Sequence, residues 1–523
     1  MRNPAWLALL VMPLWAQPYD ILIRGARLID GTGAPWFRAG VAVRGGTIAA
    51  IGKLDGAAAK EVIDAKGLVL APGFIDAHSH ALAGLRRHPG AENLILQGVT
   101  TVIEGQDGSS PLPLGPVLDE MDRLRPAVNI AFFAGHGAIR QRVMQSEMRA
   151  PSPEELARMK ELLRQAMLDG ALGLSTGLFY VPGNYASTEE VVELARVAGA
   201  LGGIHISHMR DETSGVLDSV AETIRIGEQG GLPTQITHHK IIGKASWGKS
   251  RETLRMVEEA RARGVDVTLD AYPYTASSTG TGALFPQWAL SGGAQALEER
   301  LAAPETRARI RAEIVRRILE DRGGGDPANV VLASCRFDPA LAGKSLADLA
   351  RARGIAPTAE NAADIAIELQ RKGGCSAVYH AISEDDVERV LACRWTMVAS
   401  DGGVVAPGEG APHPRSYGTF ARVLGRYVRE RRLLGLEEAV WKMTGLPAQR
   451  MGLWDRGLLR PGMRADLVLF DPDTIRDRAT FEAPHQYAEG VEAVWVNGVA
   501  TLAGGKPTGQ RGGRALRGPA GRR

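Results

Sequence analysis

Apolar and polar positions alternate along the middle of the chain in a pattern that predicts parallel strands separated by helices. Short apolar runs are each followed by helical spacing, and Ser152, Ser187 and Ser383 stand where helix N-caps are expected, each followed by acidic residues. Repeated strand–helix alternation favours a parallel sheet. Eight such runs occur, so we predict an α/β fold built on a (β/α)8, TIM-like barrel. The runs are 67–80, 99–105, 128–137, 171–178, 204–211, 233–240, 266–274 and 396–402.

The two ends of the chain show a different pattern, which is typical of antiparallel strands. Apolar residues recur with a period of two between Gly-rich turns in 19–52, and again in 462–472 and 491–507. We therefore predict that both ends together form one small β-sandwich beside the barrel. The predicted boundaries are 17–71 and 446–502 for the sandwich and 72–445 for the barrel.

Two segments fit neither pattern. Residues at about 283–350 are charged and helix-rich and follow the seventh apolar run, so we predict an inserted helical subdomain on the functional face of the barrel. Residues 503–523 contain seven glycines and six basic residues and have no apolar period. That composition favours a disordered basic tail.

The first residues predict export. Arg2 precedes an uncharged apolar run that ends at Ala16, as in a short secretory signal peptide over residues 1–16. The alternative is a hydrophobic start without this role. We favour the signal peptide and expect a periplasmic or secreted protein.

Composition and charge exclude several classes of protein. Hydrophobic residues make up 45% of the chain and charged residues 23%, as in ordinary globular proteins, so a wholly disordered chain is excluded. The net charge of +3 is due to Arg2 and the basic tail, and the net acidic remainder argues against a nucleic-acid partner. No apolar run is long enough for a membrane span. The three cysteines indicate no zinc motif or disulfide framework, although Cys375 and Cys393 could pair in an oxidising compartment.

Residues that can bind a metal follow the predicted strands, at the end of a barrel where active sites are built. His78 and His80 have the i, i+2 spacing that places two side chains on one face of a strand. Asp107 follows the second run, and His208 ends the fifth. Imidazole and carboxylate groups are ligands for zinc and similar divalent ions. The sequence therefore predicts a metal centre.

The sixth and eighth runs add a ligand and a candidate acid–base group. His238 and His239 would point to opposite faces of a continuing strand, so only one can be a ligand, and His238 is our choice. Asp401 follows the eighth run. We interpret it as the general base that takes a proton from the attacking water and returns it to a leaving amine. The alternative is a carboxylate that only caps the next turn.

Seven motifs spread over most of the chain carry a resemblance to a known family. They are GFIDAHSH (73–80), STGLFYVPGNYASTEE (175–190), HISHMRDE (205–212), THHKIIG (237–243), LDAYPYTASST (269–279), ASDG (399–402) and HPRSYGTF (413–420). Together they are very specific. From about Asp20 to Thr501 the chain resembles the amidohydrolase superfamily and, within it, the N-acyl-D-amino-acid deacylases, or D-aminoacylases.

The resemblance implies a centre of one or two metal ions. The residues that match the ligands of a tightly held zinc are Asp107, His208 and His238, and His78 and His80 match a weaker second site. The chain departs from the family at Asp107, where the family usually has cysteine. A carboxylate is harder than a thiolate and can bridge two ions, so this departure favours two metals and also allows Mn²⁺ or Co²⁺ in place of Zn²⁺. The alternative is that Asp107 only caps a turn and the metal site is weakened.

The resemblance also implies residues that bind the substrate. Lys240, Tyr272 and Arg415 match the family's anchor for the free carboxylate, and an arginine offers a bidentate fork for that group. Tyr180 and Tyr185 either line the pocket or pack in the core. The remaining assigned histidines are interpreted as surface or loop residues: His88, His380, His413 and His485.

The resemblance implies a metal-dependent amidohydrolase that cleaves N-acyl-D-amino acids, or D-configured dipeptides, to a carboxylate and a free D-amino acid. Asp401 matches the family's proton shuttle. The main alternative is a cyclic amide hydrolase of the dihydroorotase or hydantoinase kind. Those enzymes usually bridge two metals with a carboxylated lysine, and Lys240 is the only lysine at a predicted strand end. A non-catalytic binding protein on this fold is disfavoured because the histidine ligands and Asp401 are all present.

Overall fold

The computed structural model describes residues 18–521, so the predicted signal peptide lies outside the described residues. The described chain starts with five strands, and alternate residues of the first two, Ile21 and Ile23 and then Val41 and Val43, belong to one hydrophobic core. A spacing of two is expected when one face of a sheet covers a core. The strands are β1 (Tyr19–Leu28), β2 (Phe37–Arg44), β3 (Thr47–Gly52), β4 (Ala59–Asp64) and β5 (Val69–Pro72).

Eight parallel strands form a closed barrel, which confirms the prediction from the apolar runs. Their order follows the sequence, and the backbone N–H of Asp401 donates to the His78 carbonyl (2.8 Å), which joins the eighth strand to the first. All residues of these strands are buried, as expected when helices cover the outside. The strands are β6 (Phe74–Asp76), β7 (Val99–Glu104), β8 (Asn129–Phe132) continued by β9 (Ala134–Gly135), β10 (Gly173–Gly177), β11 (Ile204–His208), β12 (Thr234–Ile236), β13 (Val267–Ala271) and β17 (Thr396–Val398).

Helices surround the barrel, and two of the three predicted caps form. Ser152 makes a capping box with Glu155, Ser187 accepts from the N–H of Glu190 (3.2 Å), and Ser383 makes no side-chain cap. Within residues 18–521, no helix is long and apolar enough to cross a membrane. The helices are α1 (Leu82–Arg87), α2 (Glu92–Ile95), α3 (Gly115–Leu124), α4 (His136–Met144), α5 (Pro153–Asp169), α6 (Thr188–Ala200), α7 (Val216–Gly230), α8 (Ser250–Ala262), α13 (Glu384–Ala392), α14 (Arg415–Arg422), α15 (Leu436–Met443) and α16 (Gly445–Arg450), with a π-helix at Val423–Glu430.

The subdomain inserted between the seventh and eighth strands is larger than the sequence indicates. It extends over 277–379 rather than about 283–350, because short strands on both sides of its helices form an antiparallel sheet in the order β14–β16–β15. β14 reads SSTG and has no apolar period that would predict a strand. The elements are β14 (Ser277–Gly280), α9 (Gly293–Ala302), α10 (Pro304–Glu320), β15 (Val330–Ser334), α11 (Leu346–Ala352), α12 (Ala359–Arg371) and β16 (Ser376–Tyr379).

A disulfide crosses this subdomain. It joins Cys335, after β15, to Cys375, before β16, and Cys393 is a free thiol. The pairing of Cys375 with Cys393 that the sequence allowed is therefore wrong. The two strands run antiparallel beside each other, which brings the bonded pair together.

The end of the chain completes the sheet that the first strands begin. The strands are β18 (Leu467–Phe470), β19 (Val491–Val496), β20 (Val499–Ala503) and β21 (Lys506–Pro507). β18 pairs antiparallel with β5, so one nine-stranded sheet contains both chain ends. Ile23, Leu70, Leu467 and Trp495 share its core. Both ends thus build one β domain, as predicted, but its strands are linked in a single sheet where a sandwich was expected.

The last described residues pack against the barrel and do not form the disordered tail predicted for 503–523. Ala515 makes a parallel bridge with Ile130, and the N–H of Leu516 donates to the Ile130 carbonyl (2.8 Å). Arg517 pairs with Asp122 (2.9 Å). The glycines that suggested disorder allow this packing, because a Cβ at Gly513 would overlap a backbone carbonyl of the barrel.

Candidate metal centre and active site

A cavity of about 1170 Å³ opens at the carboxyl ends of the barrel strands, and the inserted subdomain forms part of its wall. This is the end of such a barrel where loops carry the chemistry. Most of the residues singled out from the sequence line it: His80, Asp107, Tyr180, His208, His238, Lys240, Tyr272, Asp401 and Arg415. His78 lies beneath them and is fully buried.

Two groups of metal-ligating side chains meet at Asp107. The first is His78, His80, Asp107 and Asp401; the second is Asp107, His208 and His238; within each group the ligand atoms lie within 4.8 Å of one another. One carboxylate oxygen of Asp107 is 3.2 Å from His238 Nε2 and 3.5 Å from His208 Nδ1, and the other is 3.3 Å from His80 Nε2. Asp107 therefore has the position of a bridge between two sites.

The chemistry of these donors fits divalent metal ions. His78 and His208 are buried, yet neither ring nitrogen of either residue has a hydrogen-bond partner within the described chain. Unsatisfied polar atoms of this kind are costly unless a ligand completes them. Imidazole nitrogens and carboxylate oxygens at such spacing suit zinc and similar ions.

Three of the site residues have a strained backbone. Asp107, His238 and Asp401 adopt φ values of 55°, 35° and 49°, in the left-handed region that non-glycine residues rarely occupy. Gly105 and Gly108 lie on either side of Asp107, and a Cβ at Gly108 would lie 2.7 Å from the backbone nitrogen of Gly177, the last residue of β10. The strand ends are thus turned sharply so that these side chains converge, a feature that clusters at functional sites.

Glu212 orients the second ligand group. Its Oε1 lies 3.2 Å from His238 Nδ1, and Nε2 on the other side of the ring faces Asp107, where a metal would bind. Its Oε2 is 3.7 Å from His208 Nε2. Burial alone would raise the pKa of Glu212, but Lys240 and His208 hold it well below its usual value. Glu212 is therefore a fixed anion behind the ligands.

Buried carboxyl groups also support the first ligand group. Asp270 accepts the backbone N–H of His238 (2.7 Å) and lies 4.0 Å from His78 Nδ1. Asp76 accepts the backbone N–H groups of Ser400 (2.8 Å) and His78 (3.3 Å). Burial raises the pKa of Asp76 to about 7, and that of Asp270 is also raised by burial. These contacts tie the first, sixth, seventh and eighth strands together beneath the site.

Asp401 lies between the metal ligands and an arginine. Its Oδ1 is 3.1 Å from His80 Nε2, and its Oδ2 accepts a hydrogen bond from Arg415 Nη1 (2.7 Å). Burial would raise the pKa of Asp401, but the charges of Arg415 and His78 hold it below its usual value. Asp401 is thus ionised and able to accept a proton.

His413 lies in a loop, as the sequence suggested, but it is not on the surface. It is buried, its Nδ1 accepts the backbone N–H of Arg415 (3.0 Å), and its Nε2 lies 3.0 Å from the Ala276 carbonyl, to which it donates. The motif HPRSYGTF places it two residues before Arg415. It therefore fixes the start of α14, which carries Arg415.

Tyrosines border the cavity in different ways. Tyr272 has Arg415 over its ring, with Cζ 4.8 Å from the ring centroid, and its buried hydroxyl has no partner within the described residues. The ring of Tyr180 is 4.6 Å from that of His208, and its hydroxyl is 3.1 Å from Thr279 Oγ1. Tyr185 instead donates to a backbone carbonyl of the inserted subdomain (3.3 Å) and does not line the cavity.

Lys240 contacts residues behind the metal ligands as well as lining the cavity. Its Nζ contacts Glu212 Oε1 and lies 2.7 Å from His238 Nδ1. His239 points away from the cavity, where its Nε2 is 2.8 Å from Thr253 Oγ1. Lys240 thus belongs both to the cavity lining and to the support of the second ligand group.

Sequence reasoning missed Glu212 and Arg322. Glu212 follows His208 by four positions in the motif HISHMRDE, and that closeness to a predicted ligand could have pointed to it. Arg322 comes from the inserted subdomain, where it is one of many charged residues, and no signal in the sequence singles it out. Its Nη2 lies 3.6 Å from Glu212 Oε2.

The fold and the site define a metal-binding (β/α)8 barrel with the buried carboxylate of Asp401 among its candidate ligands. A family model described as "Amidohydrolase family" matches residues 61–501, and the chain belongs to this family. The resemblance drawn from the sequence motifs is thereby confirmed.

Individual relatives match over almost the whole chain. A D-aminoacylase of Alcaligenes xylosoxydans xylosoxydans is 42% identical over 96% of this chain and 98% of its own length. An N-acyl-D-glutamate deacylase of the same organism is 39% identical over 96% of this chain and 97% of its own. Among solved structures, the N-acyl-D-glutamate deacylase of Bordetella bronchiseptica, complexed with zinc and a phosphonate inhibitor, is 37% identical, with a TM-score of 0.82 over 96% of this chain and 100% of that one.

Proposed function

We propose that this protein is a metal-dependent hydrolase that cleaves the linear amide bond of N-acyl-D-amino acids, releasing a carboxylate and a free D-amino acid. The observation that carries the proposal is the convergence of two metal-ligating groups on Asp107, with Asp401 held between them and Arg415. The relatives named for D-aminoacylase and N-acyl-D-glutamate deacylase activity support it.

The metal ions are assigned to this chain's own residues. Asp107, His208 and His238 would hold one ion, and His78 and His80 would hold a second with Asp107 shared. Zinc is our first choice, since the Bordetella relative is complexed with zinc, and the carboxylate bridge also admits Mn²⁺ or Co²⁺. A divalent ion here supplies Lewis acidity to the amide carbonyl and to water.

Asp401 moves the proton. Its Oδ1 faces the metal ligands and its Oδ2 is fixed by Arg415, so one oxygen is oriented toward the reacting groups. The ionised carboxylate accepts the proton of the attacking water and returns it to the amide nitrogen, which then leaves as an amine. A group that accepts and returns the same proton need not exchange it with solvent.

The free carboxylate of the substrate is bound on the Tyr272 side of the cavity. Arg415 lies over one part of the Tyr272 ring, and Lys240 Nζ lies 5.6 Å from the ring centroid. The Tyr272 hydroxyl is buried without a partner in the described chain and can donate to a carboxylate. Two cations and one hydroxyl together favour an anionic group over a neutral one.

The geometry disfavours a cyclic amide hydrolase that uses a carboxylated lysine. Lys240 is directed toward Glu212 and His238, behind the ligands. The place between the two ligand groups is taken by the Asp107 carboxylate. A bridging lysine is therefore not needed.

A substrate screen tests the proposed function. The purified protein is stripped of metal, reloaded with Zn²⁺, Mn²⁺ or Co²⁺, and assayed on matched N-acetyl-D- and N-acetyl-L-amino acids, their carboxamides and a hydantoin. We expect turnover of D-configured free acids, weaker turnover of the carboxamides and none of the L-series. Preferential cleavage of the hydantoin, or equal rates on both enantiomers, would contradict the proposal.

We also propose that the protein is exported to the periplasm or secreted. The disulfide between Cys335 and Cys375 supports an oxidising compartment, because such bonds are rare where thiols are kept reduced. The apolar run up to Ala16 supplies the predicted signal. Fractionation of expressing cells, with mass spectrometry of the mature N-terminus, should show a processed protein outside the cytoplasm; an unprocessed cytoplasmic protein would contradict this.

A further inference from the structure

Arg322 is a buried cation on the wall of the active-site cavity that makes no hydrogen bond within residues 18–521. Its side chain is only 3–4% exposed. The nearest carboxylate oxygen, Glu212 Oε2, is 3.6 Å away, which is beyond a normal hydrogen bond. Its Cζ lies 4.4 Å from the ring centroid of Phe179, in the position of a cation–π contact. A buried guanidinium with five unused donors calls for a further partner.

The backbone holds Arg322 in this place. It lies in the turn after α10, just before three successive glycines, and the carbonyl of the first, Gly323, accepts from Asn329 Nδ2 (3.0 Å). The turn packs on the loop that follows His238 and Lys240: a Cβ on Gly243, whose φ is +88°, would lie 2.7 Å from the Glu320 carbonyl oxygen. The inserted subdomain therefore delivers a preoriented arginine to the cavity.

The other cations of the cavity already have anionic partners. Lys240 contacts Glu212, and Arg415 bonds Asp401. Arg322 also lies near Glu212, but at 3.6 Å the two groups are too far apart for a hydrogen bond. Tyr272, Arg322 and Arg415 all line this cavity. Of the three cations, Arg322 is the one without a hydrogen-bonded carboxylate among the described residues.

We propose that Arg322 binds a second carboxylate of the substrate, so that the protein prefers N-acyl-D-amino acids that are dicarboxylic. This inference rests on the proposed function and adds the substrate class to it. The guanidinium group can bind a carboxylate through two parallel hydrogen bonds. Phe179 covers one face of the guanidinium, so that water competes less with the carboxylate for its N–H groups. The second carboxylate can belong to the amino-acid side chain or to the acyl group, and the two sources present the same chemistry to Arg322.

Matched substrates separate the two sources. N-acetyl-D-glutamate and N-acetyl-D-glutamine differ only in the charge of the side chain, and N-succinyl-D-alanine and N-butyryl-D-alanine differ in the acyl carboxylate. Each is assayed with the zinc-loaded wild type, with Arg322→Met and with Arg322→Lys. Arg316→Met is the control, since Arg316 is half exposed on α10 and does not line the cavity.

The wild type should favour one diacid over its neutral partner by about 10- to 100-fold in kcat/KM, as for a hydrogen-bonded charged pair. Arg322→Met should remove this preference mainly through KM, so that kcat/KM falls much more for the diacid than for its neutral partner. Arg322→Lys should retain part of it, because charge remains without the fork. The pair that shows the effect identifies whether the side chain or the acyl group is bound.

A purely structural role for Arg322 makes different predictions. If Arg322 acted only by holding Glu212 behind the ligands, Arg322→Met would lose zinc and slow every substrate equally, and this outcome would overturn the inference. Zinc content by elemental analysis and competitive inhibition by free D-glutamate against D-glutamine provide readouts apart from turnover. Turnover without any Arg322-dependent preference also overturns the inference alone, whereas absence of turnover on every N-acyl-D-amino acid overturns the proposed function together with it.

Discussion

The two ends of the barrel are built differently: one opens into a cavity and the other is covered by the end of the chain. At the carboxyl ends of the strands, side chains converge on a cavity, and Asp107, His238 and Asp401 have a positive φ. At the opposite end, residues 511–521 run along the strands and are held by backbone hydrogen bonds such as Leu516 N–H to the Ile130 carbonyl. One end keeps polar groups unsatisfied for ligands, and the other satisfies its backbone groups within the chain.

This difference separates chemistry from stability. A change at the cavity end removes a ligand or a proton acceptor and leaves the barrel core intact, so activity should fall more than stability. A change at the opposite end disturbs packing and leaves the cavity residues in place, so stability should fall more than activity. Conserved barrel scaffolds are expected to divide these tasks between their two ends in this way.

The largest effect is expected at Asp401. Asp401→Asn should lower kcat by about 10²- to 10⁴-fold, because the amide cannot accept the proton, while thermal unfolding should change little. The ion held by Asp107, His208 and His238 should remain, since Asp401 is not in that group. Steady-state kinetics, calorimetry and metal analysis check the three parts. Turnover near that of the wild type would contradict the role of Asp401.

The next largest effect concerns Asp107, which the two metal-ligand groups share. Asp107→Ala should lower metal content and activity together. Asp107→Cys should keep a zinc-selective site, because a thiolate is softer than a carboxylate, and should use Mn²⁺ or Co²⁺ less well than the wild type. Elemental analysis after stripping and reloading each ion measures this. Full metal content in Asp107→Ala would show that Asp107 is only a turn residue.

Much of the cavity end could be predicted from the sequence, because its candidate ligands directly follow apolar runs along the chain. Strand-end positions of His78, His80 and Asp401 can be read from an apolar run followed by a polar residue. Contacts between distant segments carry no such signal: Arg322 reaches the cavity only through the packing of its turn on Gly243, 79 positions earlier in the numbering. The extent of the inserted subdomain was missed for a similar reason, since β14 acquires its strand structure by pairing with β16.

The structure of the opposite end was predicted wrongly because a Gly-rich segment can either be disordered or pack closely through its backbone. A Gly-rich segment without apolar period usually lacks a core of its own and stays disordered. In 511–521 the absence of side chains instead lets the backbone approach the barrel directly, as at Gly513 and Gly518. The sequence alone does not distinguish a chain that cannot pack from one that packs through its backbone.

Gly513 tests the packing of this segment. Gly513→Val should destabilise the protein by about 3 kcal/mol, because the added side chain would overlap the Val128 carbonyl. Activity of the fraction that remains folded should be unchanged. Denaturant unfolding measures the loss, with Gly56→Ala as the control, since a Cβ there meets nothing within 4 Å. An unaltered unfolding midpoint would mean that 511–521 does not pack in solution.

Lys442 gives the same end of the barrel a pH dependence. It is buried and donates to the carbonyls of Cys393, before β17, and Thr396, the first residue of β17, and burial lowers its pKa to about 8. Between about pH 8 and 10.5 the unfolded chain holds a proton that the folded chain has lost, so this residue makes the free energy of unfolding rise with pH there. Below about pH 8 it is protonated in both states and contributes no slope.

Lys442→Met should remove this rise, a difference of up to about 3 kcal/mol between the two limits. The free energy of unfolding is measured for both proteins at several pH values from 7.5 to about 10. Lys53→Met, an exposed lysine, is the control. Parallel pH profiles for the wild type and Lys442→Met would show that Lys442 keeps its ordinary pKa in the fold.

The smallest effect is expected at Arg517, which anchors the last segment by charge. Its guanidinium pairs with Asp122 (2.9 Å) and Asp119 (3.2 Å), and all three side chains are about one-third exposed or more. Exposed ion pairs contribute about 0–1 kcal/mol and weaken with salt, so Arg517→Gln should cost less than 1 kcal/mol and less still at high ionic strength. A double-mutant cycle with Asp122→Asn isolates the pair, because asparagine can still accept the Ala515 N–H that Asp122 Oδ1 accepts (3.0 Å). A coupling energy well above 1 kcal/mol that did not change with salt would mean that charge, and not the backbone contacts around Gly513, holds this end of the barrel closed.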